Sequence, residues 1–137
     1  MKVTYRNIQD GDIEFITASM LNFYQKSEFG RTMKKTTFMK HHHPLLHAAI
    51  KRGEVLISCM PGNEAVIFGY VIGERNQHND IIHFIFIKPS FRKSGLGYEL
   101  VQKFRQSPNL IFTHKMKMKE GDLYDSYIYN PYLFFKA

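Results

Sequence analysis

The run Ile87-Lys88-Pro89-Ser90-Phe91-Arg92-Lys93-Ser94-Gly95-Leu96-Gly97-Tyr98 holds the residues of this chain best spaced for chemistry. An apolar stretch, Asp80 to Ile87, enters a short basic turn, and the turn runs into an amphipathic helical pattern whose first residues include Gly95 and Gly97. A helix start offers unpaired backbone N–H groups and the positive end of the helix dipole, and both suit an anion. Glycine lets a phosphate approach the backbone because no Cβ intervenes. Arg92 and Lys93 add formal positive charge at the same place. The pattern predicts a phosphate or pyrophosphate cradle at a strand–turn–helix junction. A dinucleotide fingerprint needs GxGxxG and an acid about 20 residues later, and a P-loop needs GxxxxGK[ST]. Only two glycines fit the first, and the second does not occur.

Other reactive side chains read as structure. Cys59 lies in an apolar strand pattern, where an inert buried thiol is expected. His41, His42, His43 and His47 invite a metal, with His43 and His47 at i, i+4. Pro44 places His43 ahead of the helix it would open, and no nearby Cys, Asp or Glu completes a ligand set. No metal site is assigned.

The elements that would position the cradle follow from periodicity. Val3 to Ile8 alternates as a first strand, with Val3 and Tyr5 on one face. Asp10 and Asp12 lead a helix whose Ile13, Ile16, Met20, Phe23 and Tyr24 form one stripe, ending near Ser27. Ser27 to Lys40 reads as a loop, and Pro44 as the first turn of a second helix that Gly53 caps. Val55–Met60 and Ala65–Arg75 form a hairpin around Pro61-Gly62-Asn63-Glu64, with Gly69 and Gly73 as bulges or bends. After the Asp80–Ile87 strand, Leu96, Leu100, Val101 and Phe104 share a helical face that Pro108-Asn109 stops. Leu110 to Met116 reads as a strand, Glu120 to about Tyr129 as a short helix, and Tyr132 to Lys136 as a closing strand.

Arg92-x-x-Gly95-x-Gly97, with Ile87, Pro89 and Phe91 ahead of it, resembles the pyrophosphate-binding signature of the GNAT superfamily of N-acetyltransferases. The element order and the run Ile67-Phe68-Gly69-Tyr70-Val71 are similar to that family's too, so the resemblance covers nearly the whole chain. It implies an α+β fold: a mixed, mostly antiparallel central sheet of six to seven strands with about four helices, residues 1–137 forming a single domain. It also implies acetyl-CoA as co-substrate and transfer of its acetyl group to an amine of a small molecule or protein. Phe86, Ile87 and Lys88 would then pair with the pantetheine arm, where the fourth and fifth strands splay apart. Arg92, Lys93, Ser94, Gly95, Leu96, Gly97 and Tyr98 would hold the pyrophosphate, with Lys103 a further basic candidate. A tyrosine of the last helix would protonate the leaving thiolate, and Tyr124 and Tyr127, three apart, both fit that position. Many relatives carry a glutamate where this chain has Ile81. His83, two residues on along the strand, is the candidate base, since imidazole titrates near pH 6.5; Asp80 is a second.

Composition bounds the rest. The chain has 137 residues, 44% of them hydrophobic, and one cysteine, which fit a single globular domain without internal disulfides in a reducing cytoplasm. No signal-peptide pattern and no apolar run of about 18 residues is present, so no membrane span is expected. A formal charge of +7 suits an anionic cofactor, an acidic partner or nucleic acid. Basic residues gather at Arg31, Lys34, Lys35 and Lys40 and again at Lys115, Lys117 and Lys119. Strand aromatics sit among aliphatic neighbours rather than between Lys and Arg, which argues against a nucleic-acid surface. A GNAT-fold module that binds CoA or a protein without turnover is the other alternative. Tyr127, Tyr129, Tyr132, Phe134 and Phe135 could form a homodimer surface.

Overall fold

A computed structural model describes residues 2–114 and 127–135. Its elements are β1 (Thr4–Asn7), α1 (Asp12–Lys26), α2 (Glu28–Arg31), α3 (Lys35–Arg52), β2 (Glu54–Met60), β3 (Asn63–Arg75), β4 (Asn79–Ile87), α4 (Leu96–Phe104), β5 (Asn109–Phe112) and β6 (Ile128–Tyr129). Single 3-10 turns lie at Pro89–Phe91 and Pro131–Phe134. The six strands form one sheet in sequence order. β1 to β4 are antiparallel, and β4, β5 and β6 run parallel.

Alternation along the strands puts one apolar set on each face of the sheet. Ile67, Tyr70 and Ile72 of β3 and Phe84 of β4 pack against Ile16, Met20 and Tyr24 of α1 and Phe38, Leu46 and Ala49 of α3. Phe68 and Val71 of β3, Ile82 of β4 and Phe112 of β5 pack against Leu96, Leu100, Val101 and Phe104 of α4. Helices therefore cover both faces. β3 is buried on both sides from Ile67 to Gly73, which explains its near-continuous apolar sequence. The expected mixed, mostly antiparallel α+β fold is the observed one.

Several boundaries differ from the sequence expectation. Most of the Ser27–Lys40 segment is helical, and Pro44 lies inside α3 rather than at its start. Phe38, His42, Leu46 and Ala49 are the buried stripe of α3, and that spacing spans the proline. Packing of this stripe outweighs the one backbone hydrogen bond that proline removes. α4 ends at Phe104, before Pro108. Of the expected closing strand Tyr132–Lys136, the described residues are not extended: Pro131–Phe134 is the 3-10 turn, with the Asn130 side chain accepting from Tyr132 N. Residues 127–129 are not helical: Tyr127 precedes β6. The remainder of the expected 120–129 helix, Tyr124 included, and the 115–119 lysines lie outside the described residues.

Candidate functional site

β4 loses one of its two partners halfway along. Against β5 its pairing runs only from Asn79↔Asn109 to Ile82↔Phe112, followed by one bond from Thr113 N to Ile82 O (3.1 Å). No described strand pairs with that edge of β4 from Phe84 to Ile87. On its other side β4 stays paired with β3 up to Gly69↔Ile87. That ladder steps from Ile72↔Phe84 to Gly73↔Ile82, so His83 is an extra residue in a β-bulge. Gly73 permits the bulge: a Cβ there would lie 2.2 Å from Ile81 O and 2.9 Å from the Phe104 ring. The end of the β4–β5 ladder and the bulge coincide.

Beyond Ile87 the chain turns tightly into α4. Arg92 Nε donates to Ile87 O (2.9 Å) and Ser94 Oγ donates to Phe91 O (2.5 Å). Lys93 and Gly95 both adopt left-handed backbone, with φ of 67° and 83°. The glycine takes this conformation without the Cβ penalty that Lys93 bears. A Cβ built on Gly95 meets nothing within 4 Å, and one on Gly97 meets only Ile87 Cγ1 at 3.7 Å. The space above both glycines is open. Arg92, Lys93 and Ser94 are exposed beside it. An anionic group of phosphate size therefore fits against this turn.

A chain of hydrogen bonds crosses the bulge. The Glu74 carboxylate, on β3 opposite Ile81, accepts from Arg52 Nε (3.1 Å) and lies 2.6 Å from His83 Nε2. His83 Nδ1 lies 3.0 Å from Thr113 Oγ1, and Thr113 Oγ1 lies 3.0 Å from His114 Nδ1. His114 Nδ1 also donates to His83 O (2.9 Å), just past the last β4–β5 pair. Burial pushes the Glu74 carboxyl upward, but hydrogen bonds from His83 and Arg52 outweigh it and leave the pKa below the ordinary value. Burial also holds His114 down at about 4, partly countered by its bond to the His83 carbonyl, so at neutral pH this imidazole is uncharged. Rings enclose the cluster: Phe134 meets His83, His114 and His42, and Tyr24 meets His114 and His42. The Tyr24 hydroxyl is buried with no hydrogen-bond partner among the described residues.

No protein-family model matches this sequence, and no curated protein matches it. Solved structures do. A Pyrococcus furiosus protein provisionally assigned as an acetyl transferase superposes with TM-score 0.65 at 14% identity, over 88% of this chain and 86% of its own. A Clostridium difficile 630 protein, also provisionally assigned as an acetyltransferase, gives 0.57 at 12%, over 90% and 84%. The GCN5-related glucosamine N-acetyltransferase region of a fungal multi-domain GH3 beta-N-acetylglucosaminidase gives 0.53 at 14%, over 75% of this chain and 12% of that one. The fold is that of the GNAT acetyltransferases.

Within the GNAT frame, the residues expected to face acetyl-CoA fall along one path. Phe86, Ile87 and Lys88 lie at and just beyond the end of the open β4 edge, and Arg92 to Tyr98 form the turn and first residues of α4. Of the catalytic candidates, His83 and Tyr127 are not brought together, and Tyr124 lies outside the described residues. His83 packs on Phe134, on the α1–α3 face, whereas the Tyr127 ring stands edge-on to Phe112, on the α4 face. Asp80, the second base candidate, is buried and accepts from the N–H groups of Gln106 and Ser107 at 2.8 Å, a structural use. His43 and His47 do share a helix, their rings stacked at 4.3 Å, because α3 runs through Pro44. Among the described residues no group of three or more His, Cys, Asp or Glu is arranged to hold a metal. Cys59 is fully buried, and burial raises its thiol pKa. Sequence reasoning missed Glu74, Thr113 and His114. Their one visible signal was polar residues at the ends of apolar strand runs.

Proposed function

We propose that this protein is an acetyl-CoA-dependent N-acetyltransferase that moves an acetyl group to an amine. The observation that carries the reading is the edge of β4 from Phe84 to Ile87, unpaired by any described strand, leading into the glycine turn. An extended pantetheine arm can pair with the backbone of Phe86, Ile87 and Lys88 as a strand would. The pyrophosphate then meets the turn from Arg92 to Gly97, with Leu96 and Tyr98 beside it, where the dipole of α4 and the charges of Arg92 and Lys93 favour an anion. Such binding places the thioester toward the His83 bulge, which is where acid–base groups are found. Positioning of thioester and amine accounts for a large share of such catalysis.

A second reading, a GNAT-fold module that binds CoA or a protein without turnover, draws on two observations: Ile81 stands where many relatives carry glutamate, and His83 is fully buried with both ring nitrogens engaged. A nucleic-acid module draws less support, since helices cover both sheet faces and the β3 and β4 aromatics Phe68, Tyr70 and Phe84 pack into the core rather than forming a stacking platform. Thiol release from acetyl-CoA with a panel of amines, beside titrations with CoA and an oligonucleotide, separates the three. Amine-dependent thiol release is expected. CoA binding without release would favour the second reading, and oligonucleotide binding alone would favour the third.

A further inference from the structure

Glu74, His83, Thr113 and His114 come from three separate stretches of chain, yet form one continuous series of polar contacts between 2.6 and 3.0 Å. Their chemistry fixes the direction at its two ends. Carboxylate and carbonyl oxygens only accept, so His83 Nε2–H donates to Glu74, and His114 Nδ1–H donates to His83 O and Thr113 Oγ1. With His83 taken as neutral, Thr113 Oγ–H donates to its Nδ1 at 3.0 Å in preference to Ile82 O at 3.4 Å. His114 is then the Nδ1–H tautomer, and its Nε2 carries a lone pair. One end of the series, His114, stands where the β4–β5 ladder stops. The other end, Glu74, has a side chain 22% exposed and is held by Arg52.

We propose that this series is a proton relay, with His114 the base that meets the incoming ammonium and Glu74 the outlet to water. The inference rests on the acetyl-transfer reading above and supplies its acid–base half. The ammonium proton passes to His114 Nε2; the Nδ1 proton of His114 passes to Thr113 Oγ1; the Thr113 proton passes to His83 Nδ1; and the Nε2 proton of His83 passes to Glu74, which releases it to water. The neutral nitrogen attacks the thioester carbonyl and loses its second proton to water. When the C–S bond breaks, the relay runs backward: Glu74 takes a proton from water, and His114 gives one to the thiolate sulfur. That return restores both ring tautomers, and one proton is released overall per acetyl transferred.

Every step needs a group poised at its own end of the path. An uncharged His114 can accept a proton, and a carboxyl held below its ordinary pKa by His83 and Arg52 gives one up to water readily. Ionisable or hydroxyl-bearing groups against the relay include His42 and Tyr24 beside His114 and Arg52 beside Glu74. Thr113 is the link with no other titratable role, so it carries the test.

The experiment compares wild type with Thr113→Val, which keeps the shape without the hydroxyl, and Thr113→Ser, which keeps the hydroxyl. Acetyl-CoA affinity is measured by calorimetry, thiol release with a polyamine, an amino sugar and a lysine-rich peptide, and imidazole nitrogen shifts of His83 and His114 by NMR. Thr113→Val is expected to lower kcat about 100-fold, the scale of general acid–base catalysis, with acetyl-CoA affinity unchanged. Thr113→Ser is expected to stay within about threefold of wild type, well short of that effect. The wild-type nitrogen shifts are expected to report Nδ1–H on His114 and Nε2–H on His83. Equal rates for the valine and serine variants, or an Nε2–H tautomer on His114, would overturn the relay while leaving the acetyl-transfer reading intact. Failure of wild type to bind acetyl-CoA or to release thiol with any amine would overturn both.

Discussion

His114 must stay uncharged in the folded chain down to about pH 4, while in the unfolded chain it takes a proton near its ordinary value of 6.5. The folded pKa is the depressed one, so its contribution is fully present above pH 6.5 and is lost as pH falls toward 4. The gap amounts to about 3 kcal/mol at most. His42, also depressed by burial, acts in the same direction. Asp12 has its carboxyl lowered by Arg6, and Glu54 by Arg75, so both add a second loss further into acid. Thermal melts between pH 7 and pH 4 should show a falling Tm, and His114→Gln should flatten that limb. A wild-type Tm that stays constant over this range would contradict the account of His114.

The β4 bulge is the element on which the site turns, and Gly73 is the residue that permits it. Gly73→Ala drives a Cβ into backbone as well as ring, so a loss of about 3 kcal/mol is expected in urea unfolding. Gly97→Ala meets only an ordinary contact, and should leave stability within about 1 kcal/mol of wild type. Equal costs at the two glycines would argue against the bulge as described. The same contrast shows what a sequence can reveal. The β3–β4 hairpin and α4 were legible because their apolar residues recur at strand and helix periods. The first turns of α3 were not: Lys35 to His43 is polar at most positions, and Pro44 mimics a helix start. The phosphate turn was legible as a local pattern. The Glu74–His83–Thr113–His114 series was not, because its members are joined only by the ladders β3–β4 and β4–β5.

Across the whole molecule, the sheet serves as the ruler that aligns these pieces. Helices on both faces bury it, the end of the β4–β5 ladder leaves one edge of β4 without a described partner strand, and the turn into α4 follows where that edge ends. Among the described residues no helix is long and apolar enough to cross a membrane. The formal charge of +7 adds a general attraction for an anionic substrate, which salt weakens. A specific cradle differs from that general field in its dependence on one small residue. The decisive measurement is therefore calorimetric titration of acetyl-CoA into wild type and Gly97→Leu at physiological salt, with both proteins shown folded by urea unfolding. Saturable binding to wild type, weakened at least about tenfold (about 1.4 kcal/mol) in the variant, is the expected result. No binding to wild type, or equal affinity for the two, would contradict the claim that this turn holds acetyl-CoA.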